Sequence, residues 1–207
     1  MYTLINKNAE RIVGAFTPDF VTDYEWLFTH LNEAKSSEYQ EKFRKFWAMN
    51  AARLGPEFYT VYFDVLATVG EHKPSLSQVC CNLYECSSRR DGRKSLQFSF
   101  ATKLMHMGNP RLPVYDSQVA HIYSFVAPDS KKVLHQRIGE LVTFHEFLIR
   151  EYKRVLEEQL LETAIDEFRD KLKPQSFTDV KVIDSLIWKT ADLLSKGALA
   201  DGRIAYY

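Results

Sequence analysis

The residues with the clearest catalytic potential lie in the stretch ATKLMHMGNPRLPVYDSQVAHIY, residues 101–123. Lys103 stands within an apolar run, and Asp116 follows it thirteen positions later. Burial of a lysine disfavours its charged form, so a neutral amine becomes available to attack carbon and form a Schiff base. A fixed carboxylate stabilises positive charge that develops during such an attack. These two residues are therefore candidates for amine-based catalysis.

Lys103 must be positioned by the element that carries it, SLQFSFATKLMHM at residues 95–107. At ~100° per residue, this stretch predicts a helix that is apolar on two opposite faces and therefore buried. Lys103 then projects within about 20° of Leu96, with Ser99 on the same flank. This geometry fits a buried amine. It also fits a lysine whose stem covers apolar surface while its ammonium group reaches water or a carboxylate.

Asp116 must be positioned by a chain reversal and a second helix. Gly108 is expected to end the first helix, and the Asn109-Pro110 pair prevents its continuation. Asp116 precedes the amphipathic segment SQVAHIYSFV and is expected to accept its free N–H groups as the N-cap. At that place the carboxylate is suited to stabilising a cation, but the same placement is found at ordinary helix caps.

Basic residues accumulate just before and within this region. Residues 87–113 contain six bases and one acid, whereas the whole chain has 27 of each sign. A basic, glycine-containing loop that enters a helix is a candidate phosphate-binding element, and it is equally compatible with a solvated surface loop. The bases are Arg89, Arg90, Arg93, Lys94, Lys103 and Arg111.

The remainder of the chain predicts an all-α fold of eight or nine helices in one domain, residues 1–207. Apolar residues recur at spacings of three and four, which is typical of amphipathic helices. The segment 58–70 is rich in β-branched and aromatic residues, but Pro56 and Gly70 at its ends favour a buried helix. PDSKK, at 128–132, suggests a lobe boundary near 127–132. The predicted helices span 24–34, 38–54, 58–70, 74–86, 95–107, 117–126, 131–158, 161–172 and 178–197.

Composition limits the classes of partner and cofactor. Opposite charges cancel, so only a local patch could attract nucleic acid. Neither a signal peptide nor a long apolar span is visible, which predicts a cytoplasmic protein without membrane contact. Cys80, Cys81 and Cys86 are too few for a closed zinc or iron–sulfur site and are interpreted as small buried residues. No metal or cofactor is expected, and the sequence does not specify the oligomeric state.

The stretch FATKLMHMGNPRLPVYDSQVAHI resembles the active-site core of the helix-hairpin-helix DNA glycosylases, especially the endonuclease-III-like and 8-oxoguanine glycosylase branches. In particular, PVYDSQV resembles that superfamily's aspartate at a helix start. The chain also resembles a group of uncharacterised bacterial proteins that share an S-F-A-(S/T)-K-L pattern, a P-(I/V)-Y-D-S pattern and a late I-D-x-x-(I/L)-W motif, here Ile183 to Trp188. The local resemblance covers about thirty residues, and neither the family's glycine-rich hairpin nor its four-cysteine loop is recognisable here.

The resemblance implies DNA as the partner and cleavage of an N-glycosidic bond. Asp116 would stabilise positive charge at C1′ of the target nucleotide, and a lysine would attack C1′, form a Schiff base and cut the strand. Lys103 is favoured for its surroundings, whereas Lys94, 22 residues before Asp116, lies nearer the family's position. Without either lysine, Asp116 could support cleavage by water.

A flipped base also needs a pocket of aromatic or polar side chains. The chosen pocket residues are Ser99, Phe100, Tyr115 and His106, and further aromatic candidates are Phe98, Trp47 and Tyr123. The alternatives are a non-catalytic nucleic-acid-binding protein of the same fold and a helical interaction protein.

Overall fold

The described residues, 1–86 and 94–199 of the computed structural model, form eleven α-helices and two short 3-10 segments, with no β-strand among them. The predicted all-α fold is confirmed. The α-helices are α1 (Tyr2–Lys7), α2 (Ala9–Gly14), α3 (Asp19–Thr29), α4 (Ser37–Phe46), α5 (Pro56–His72), α6 (Leu76–Glu85), α7 (Phe98–Gly108), α8 (Ser117–Ile122), α9 (Leu134–Glu157), α10 (Glu162–Leu172) and α11 (Asp179–Ser195). The 3-10 segments are Leu31–Glu33 and Met49–Ala52.

The helix count exceeds the expected eight or nine because the N-terminal stretch folds into α1 and α2. Each has only six residues, which is too short to show a clear helical period in sequence. A second difference concerns the expected helix 38–54, which stops at Phe46. Ala48 and Arg53 have φ angles of 53° and 52°, and residues in this left-handed conformation cannot continue an α-helix.

The prediction of a helix over 58–70 is confirmed, because this segment lies inside α5, which begins with Pro56 at its first turn. Ser75 caps α6 and forms a reciprocal capping box with Gln78. The sequence left open a break of the helix at Gly139, but α9 runs through this residue without interruption. Gly197 has a φ of 65° just after α11, as expected for a glycine that ends a helix.

A contiguous apolar core joins residues from both sides of the connection 127–132. α11 lies at its centre and contacts α1, α2, α8, α9 and α10. α7 packs against α5 and α6. Both α7 and α11 also bury charged side chains, namely Lys103 on α7 and Lys181, Asp184 and Lys189 on α11. The two helices that form much of the core therefore also carry its most unusual residues.

Gly108, the last residue of α7, allows the close approach of α5. A Cβ atom at this position would lie 2.9 Å from Val69 Cγ1 and 3.0 Å from Val69 Cγ2. Its φ angle is not positive, so a left-handed terminus does not explain the glycine. α7 ends at Gly108 as expected. The presence of glycine at this position is explained by its close packing against Val69 of α5.

The substitution Gly108→Ala is expected to destabilise the protein by about 1–3 kcal/mol, because the added methyl group must displace Val69. Gly139→Ala is the matched control, since a Cβ there meets nothing within 4 Å. It should stabilise the fold by up to about 1 kcal/mol through helix propensity. Urea unfolding measures both values. Equal effects of the two substitutions would contradict the packing explanation.

Candidate active site

Side chains from neighbouring helices fix the connection between α7 and α8, residues 109–116. His106 Nδ1 donates to the Leu112 carbonyl at 2.7 Å, and His145 Nε2 donates to the Pro113 carbonyl at 2.8 Å. Thr178 Oγ1 donates to the Pro110 carbonyl at 2.7 Å. The connection lacks regular structure, yet its carbonyl groups have defined partners on α7, α9 and at the start of α11.

Two backbone amides of the same connection are held in the same way. Val114 N donates to Asp184 Oδ1 at 3.1 Å, and Tyr115 N donates to Thr102 Oγ1 at 3.0 Å. The next residue, Asp116, accepts the Gln118 amide at 2.9 Å and caps α8. The predicted N-cap is confirmed, and its carboxylate sits at the end of a rigidly attached segment.

A partly open cleft of about 110 Å³ lies where this connection meets α3, α4, α7 and α11. Its lining combines four aromatic rings with two lysines and two aspartates. The lining residues are Phe20, Phe46, Trp47, Ala48, Lys103, Val114, Asp116, Val119, Lys181, Asp184, Ser185 and Trp188. The structure therefore brings Lys103 and Asp116 to one cleft.

Lys103 is a buried amine held within α7. Only 7% of the residue is exposed, and Nζ donates to Ser99 Oγ at 2.6 Å, one helical turn earlier. Nζ also lies 5.1 Å from the Phe100 ring centre and 5.8 Å from that of Trp47. Burial lowers the pKa of Lys103 to about 8, although Asp116 and Asp184 oppose the shift. The Lys103 ammonium therefore loses its proton much more readily near neutral pH than an ordinary lysine.

Lys103 and Asp116 line the same cleft and influence each other electrostatically, but they do not form a direct contact. Both belong to the described residues, and no ion pair joins them. Instead Lys103 bonds to Ser99 and Asp116 bonds to the α8 backbone. Each side chain is thus positioned by its own helix, and both remain at the cleft surface.

Lys181 and Asp184 form a second pair of charges in the same cleft. Their side chains are 4% and 7% exposed, and Lys181 Nζ lies 3.7 Å from Asp184 Oδ2. Burial lowers the pKa of Lys181 and raises that of Asp184, and each ion opposes the shift of the other. A buried ion pair is weak as a source of stability, because desolvation offsets much of the attraction. Its presence in a cleft is therefore a functional indication.

Trp47 adds an unsatisfied donor to the lining. The residue is 8% exposed, and its Nε1 atom is buried without a hydrogen-bond partner among the described residues. Unpartnered buried polar atoms are uncommon in folded proteins and call for an explanation. The turn after α4 places this ring in the cleft, next to Ala48 in its left-handed conformation.

The predicted pocket residues lie around Lys103, but none of them belongs to the cleft lining. Ser99 binds the amine directly, and Phe100 packs near it. Tyr115 is directed into the core, where its ring meets Phe98 and Phe144 edge-on. Of the further aromatic candidates, Trp47 lines the cleft.

His106 does not line the cleft; both of its ring nitrogens form hydrogen bonds within the core. Its Nδ1 donates to Leu112 O, so its Nε2 carries no proton and accepts from the Tyr24 hydroxyl at 2.8 Å. Burial lowers the pKa of His106 to about 3, and Lys181 adds to the shift. The imidazole is therefore neutral at physiological pH and fixes the connection 109–116.

The predicted nucleic-acid contacts are described only in part. Lys94 is exposed and forms an ion pair with Glu85 at 3.0 Å, outside the cleft lining. Arg111 is exposed on the connection 109–116. Arg89, Arg90 and Arg93 lie outside the described residues. Of the two rival lysines, only Lys103 shares the cleft with Asp116.

Sequence reasoning missed the α11 face of the cleft. Lys181, Asp184, Ser185 and Trp188 follow one another at spacings of three, one and three, so they share one side of α11. Asp184 and Trp188 belong to the late motif noted above, but the motif did not assign them a role. The sequence did contain one indication of this site: Lys181 and Asp184 both lie on the apolar side of a predicted helix.

Other site classes find no counterpart in the parts of the chain that the structure describes. No cluster of three His, Cys, Asp or Glu side chains there could hold a metal ion. Cys80 and Cys86 are buried, Cys81 is exposed, and all three are free thiols. Within 1–86 and 94–199, none of the helices has both the length and the apolar character needed to cross a bilayer.

Comparison with known proteins adds no relative. No protein family model, no curated protein and no solved structure matches the chain. The cleft chemistry and the local sequence resemblance therefore carry the functional argument.

Stability should depend on pH through His106. Its folded pKa of about 3 lies below the ordinary histidine value, so the unfolded chain binds the proton more readily. The stabilising contribution is complete above the ordinary value and is lost as pH falls from there towards 3. His106→Asn, which retains a donor for Leu112, should reduce the slope of unfolding free energy against pH by about 1.4 kcal/mol per pH unit in this window. Urea titrations at several pH values measure the slope; an unchanged slope would show that His106 does not titrate on unfolding.

Proposed function

We propose that this protein is a base-excision DNA glycosylase with Schiff-base lyase activity, in which Lys103 is the amine and Asp116 the fixed carboxylate. The observation that carries the proposal is the meeting of a buried lysine, whose pKa is about 8, and a helix-capping aspartate at one aromatic cleft. The local resemblance to the helix-hairpin-helix glycosylases supports the same assignment.

The proposed reaction begins with the neutral amine of Lys103. The amine attacks C1′ of the flipped nucleotide as the N-glycosidic bond breaks; the electrons of that bond leave with the base, which takes up the proton lost by the attacking nitrogen. The C1′–O4′ bond of the sugar then breaks, O4′ takes up a proton from water, and a protonated Schiff base remains between C1′ and Nζ. Water removes a proton from C2′, and the electrons released break the C3′–O bond, which expels the 3′ phosphate and cuts the strand. Burial supports the first step because it maintains neutral amine.

Asp116 is proposed to stabilise the positive charge that develops at C1′ as the base departs. A carboxylate held by a backbone amide needs little reorganisation during the reaction, and this preorganisation is the main source of electrostatic catalysis. The bonds that attach the connection 109–116 to α7, α9 and α11 supply the rigidity. Four aromatic rings in the cleft offer stacking surfaces for a base outside the duplex.

The hydrogen bond from Lys103 to Ser99 favours a second candidate, a non-catalytic nucleic-acid-binding protein. In that case the bond would anchor the lysine within the core, and the exposed Lys94 and Arg111 would contribute to phosphate binding. The two functions differ in whether a covalent adduct forms.

Borohydride reduction of a Schiff base on a duplex that contains an abasic site is expected to trap a covalent complex with the wild-type protein. Lys103→Gln should abolish trapping because it removes the nucleophile. Lys94→Gln, tested at saturating duplex, and Lys189→Gln, which removes another buried lysine, should retain it. The trapping rate should rise with pH through a midpoint near 8, where the Lys103 amine loses its proton.

Two other outcomes would contradict the assignment of Lys103 as the nucleophile. Loss of the adduct in Lys94→Gln alone would transfer the nucleophilic role to Lys94. Duplex binding without any adduct or base release would identify the non-catalytic function.

Asp116→Asn is expected to separate catalysis from folding. Asparagine also caps helices well, and its Oδ1 atom can still accept the Gln118 amide. The melting temperature should therefore change little, while base release from damaged duplexes should slow by about 100- to 1000-fold through loss of the charge. Asp116→Ala should show the same loss of activity and, in addition, lose about 1 kcal/mol of stability with the cap. Wild-type rates in Asp116→Asn would restrict Asp116 to a structural role.

A further inference from the structure

The proposed reaction uses Lys103 and Asp116 and leaves Lys181 and Asp184 without a role. Both residues line the cleft opposite the amine-bearing helix, one turn apart on α11. The charged groups are almost fully buried, and such groups are rare unless paired or functional. Two buried charges in the cleft therefore have no part in the proposed reaction.

The hydrogen-bonding capacity of this pair is incompletely used. Asp184 Oδ1 accepts from the Val114 amide at 3.1 Å and from the Tyr152 hydroxyl at 3.4 Å. Among the residues that the structure describes, the one polar partner of Asp184 Oδ2 is Lys181, at 3.7 Å, which is longer than a hydrogen bond. Within the described residues, Lys181 Nζ has no hydrogen-bond acceptor at shorter range. The cleft therefore contains an available donor and an available acceptor side by side.

Aromatic rings lie close to this charged pair. Lys181 Nζ lies 4.9 Å from the Trp47 ring centre and 5.0 Å from that of Tyr24. Trp47 and Trp188 both line the cleft, and Trp47 Nε1 is a further donor without a partner. A flat, polar ligand that stacks on these rings can present its edge to Lys181 and Asp184.

We propose that Lys181 and Asp184 read the edge of the flipped base and select bases in which a C=O group stands beside a ring N–H group. Lys181 donates to the carbonyl oxygen, and Asp184 Oδ2 accepts the ring N–H. This edge occurs in uracil-like pyrimidines and in hypoxanthine-like purines. Cytosine and adenine present an amino group beside an unprotonated ring nitrogen, so they oppose a donor to Lys181 and an acceptor to Asp184. The inference rests on the proposed function, since it concerns the base that enters the cleft.

The experiment measures binding of N-methylated bases to the intact protein by ligand-observed NMR titration. 1-Methyluracil is compared with 1-methylcytosine, and 9-methylhypoxanthine with 9-methyladenine, because the methyl group takes the place of the sugar and each pair then differs only at this edge. The uracil and hypoxanthine derivatives should each bind about 5- to 150-fold more tightly than their partners, the range expected for a well-formed pair of hydrogen bonds. A preference within only one of the two pairs would support the inference and assign the site to pyrimidines or to purines.

Two variants test the assigned atoms. Asp184→Asn keeps an Oδ1 acceptor for Val114 and Tyr152 but replaces Oδ2 with a donor, so the preference should disappear without loss of the fold. Lys181→Met removes the donor while keeping an apolar stem, with the same expected result. Lys189→Met is the matched control, because Lys189 is also buried on α11 and paired with an aspartate, but does not line the cleft. It should retain the preference.

Equal affinity of wild-type protein for both members of each pair, or no binding of any base, would overturn the inference. So would an unchanged preference in both Asp184→Asn and Lys181→Met. Borohydride trapping on an abasic duplex requires no base, so it tests the proposed function independently. An adduct without base preference would leave the glycosylase proposal standing and remove only the assignment of Lys181 and Asp184.

Discussion

The candidate site depends on how the connection 109–116 is held. This segment contains two prolines and no regular structure, so its buried polar groups cannot be satisfied by a helix ladder. Side chains on α7, α9 and α11, together with the N-cap residue of α11, form these hydrogen bonds instead. Because His145, Thr178 and Asp184 lie 32 to 70 residues away from their partners in this segment, they tie the position of Asp116 to the packing of the whole core.

The second constraint is electrostatic. Lys103, Lys181 and Asp184 are all nearly buried, and removal of each charge from water carries a free-energy penalty. Their attraction offsets part of this penalty, and the aromatic rings near both lysines provide further stabilisation. An apolar α11 face would pack more simply. The charges are therefore not explained by packing alone, which is why the proposed function assigns them a role in the cleft.

The relation to the glycosylase pattern is clearest at Asp116 and weakest at the lysine. In the superfamily the catalytic lysine begins a helix, whereas Lys103 lies within α7 and projects from its buried side. Lys94 matches the family position more closely, but it is exposed and paired with Glu85. In the proposed function, this chain delivers its amine to the aspartate from a different point on the scaffold. The rings that would receive a base then come mainly from α3, α4 and α11.

Local sequence patterns were sufficient to predict the helical character of the chain, the cap at Asp116 and the placement of Lys103 on an apolar helix face. Those features follow from local periodicity and from backbone groups only a few residues away. Local signals did not reveal the short helices α1 and α2, the turn that carries Trp47, or the close packing at Gly108. Only the tertiary structure brought Lys181 and Asp184 to the cleft of Lys103. Periodicity indicates which face of a helix is buried, but the partner of that face is decided by packing between segments far apart in the chain.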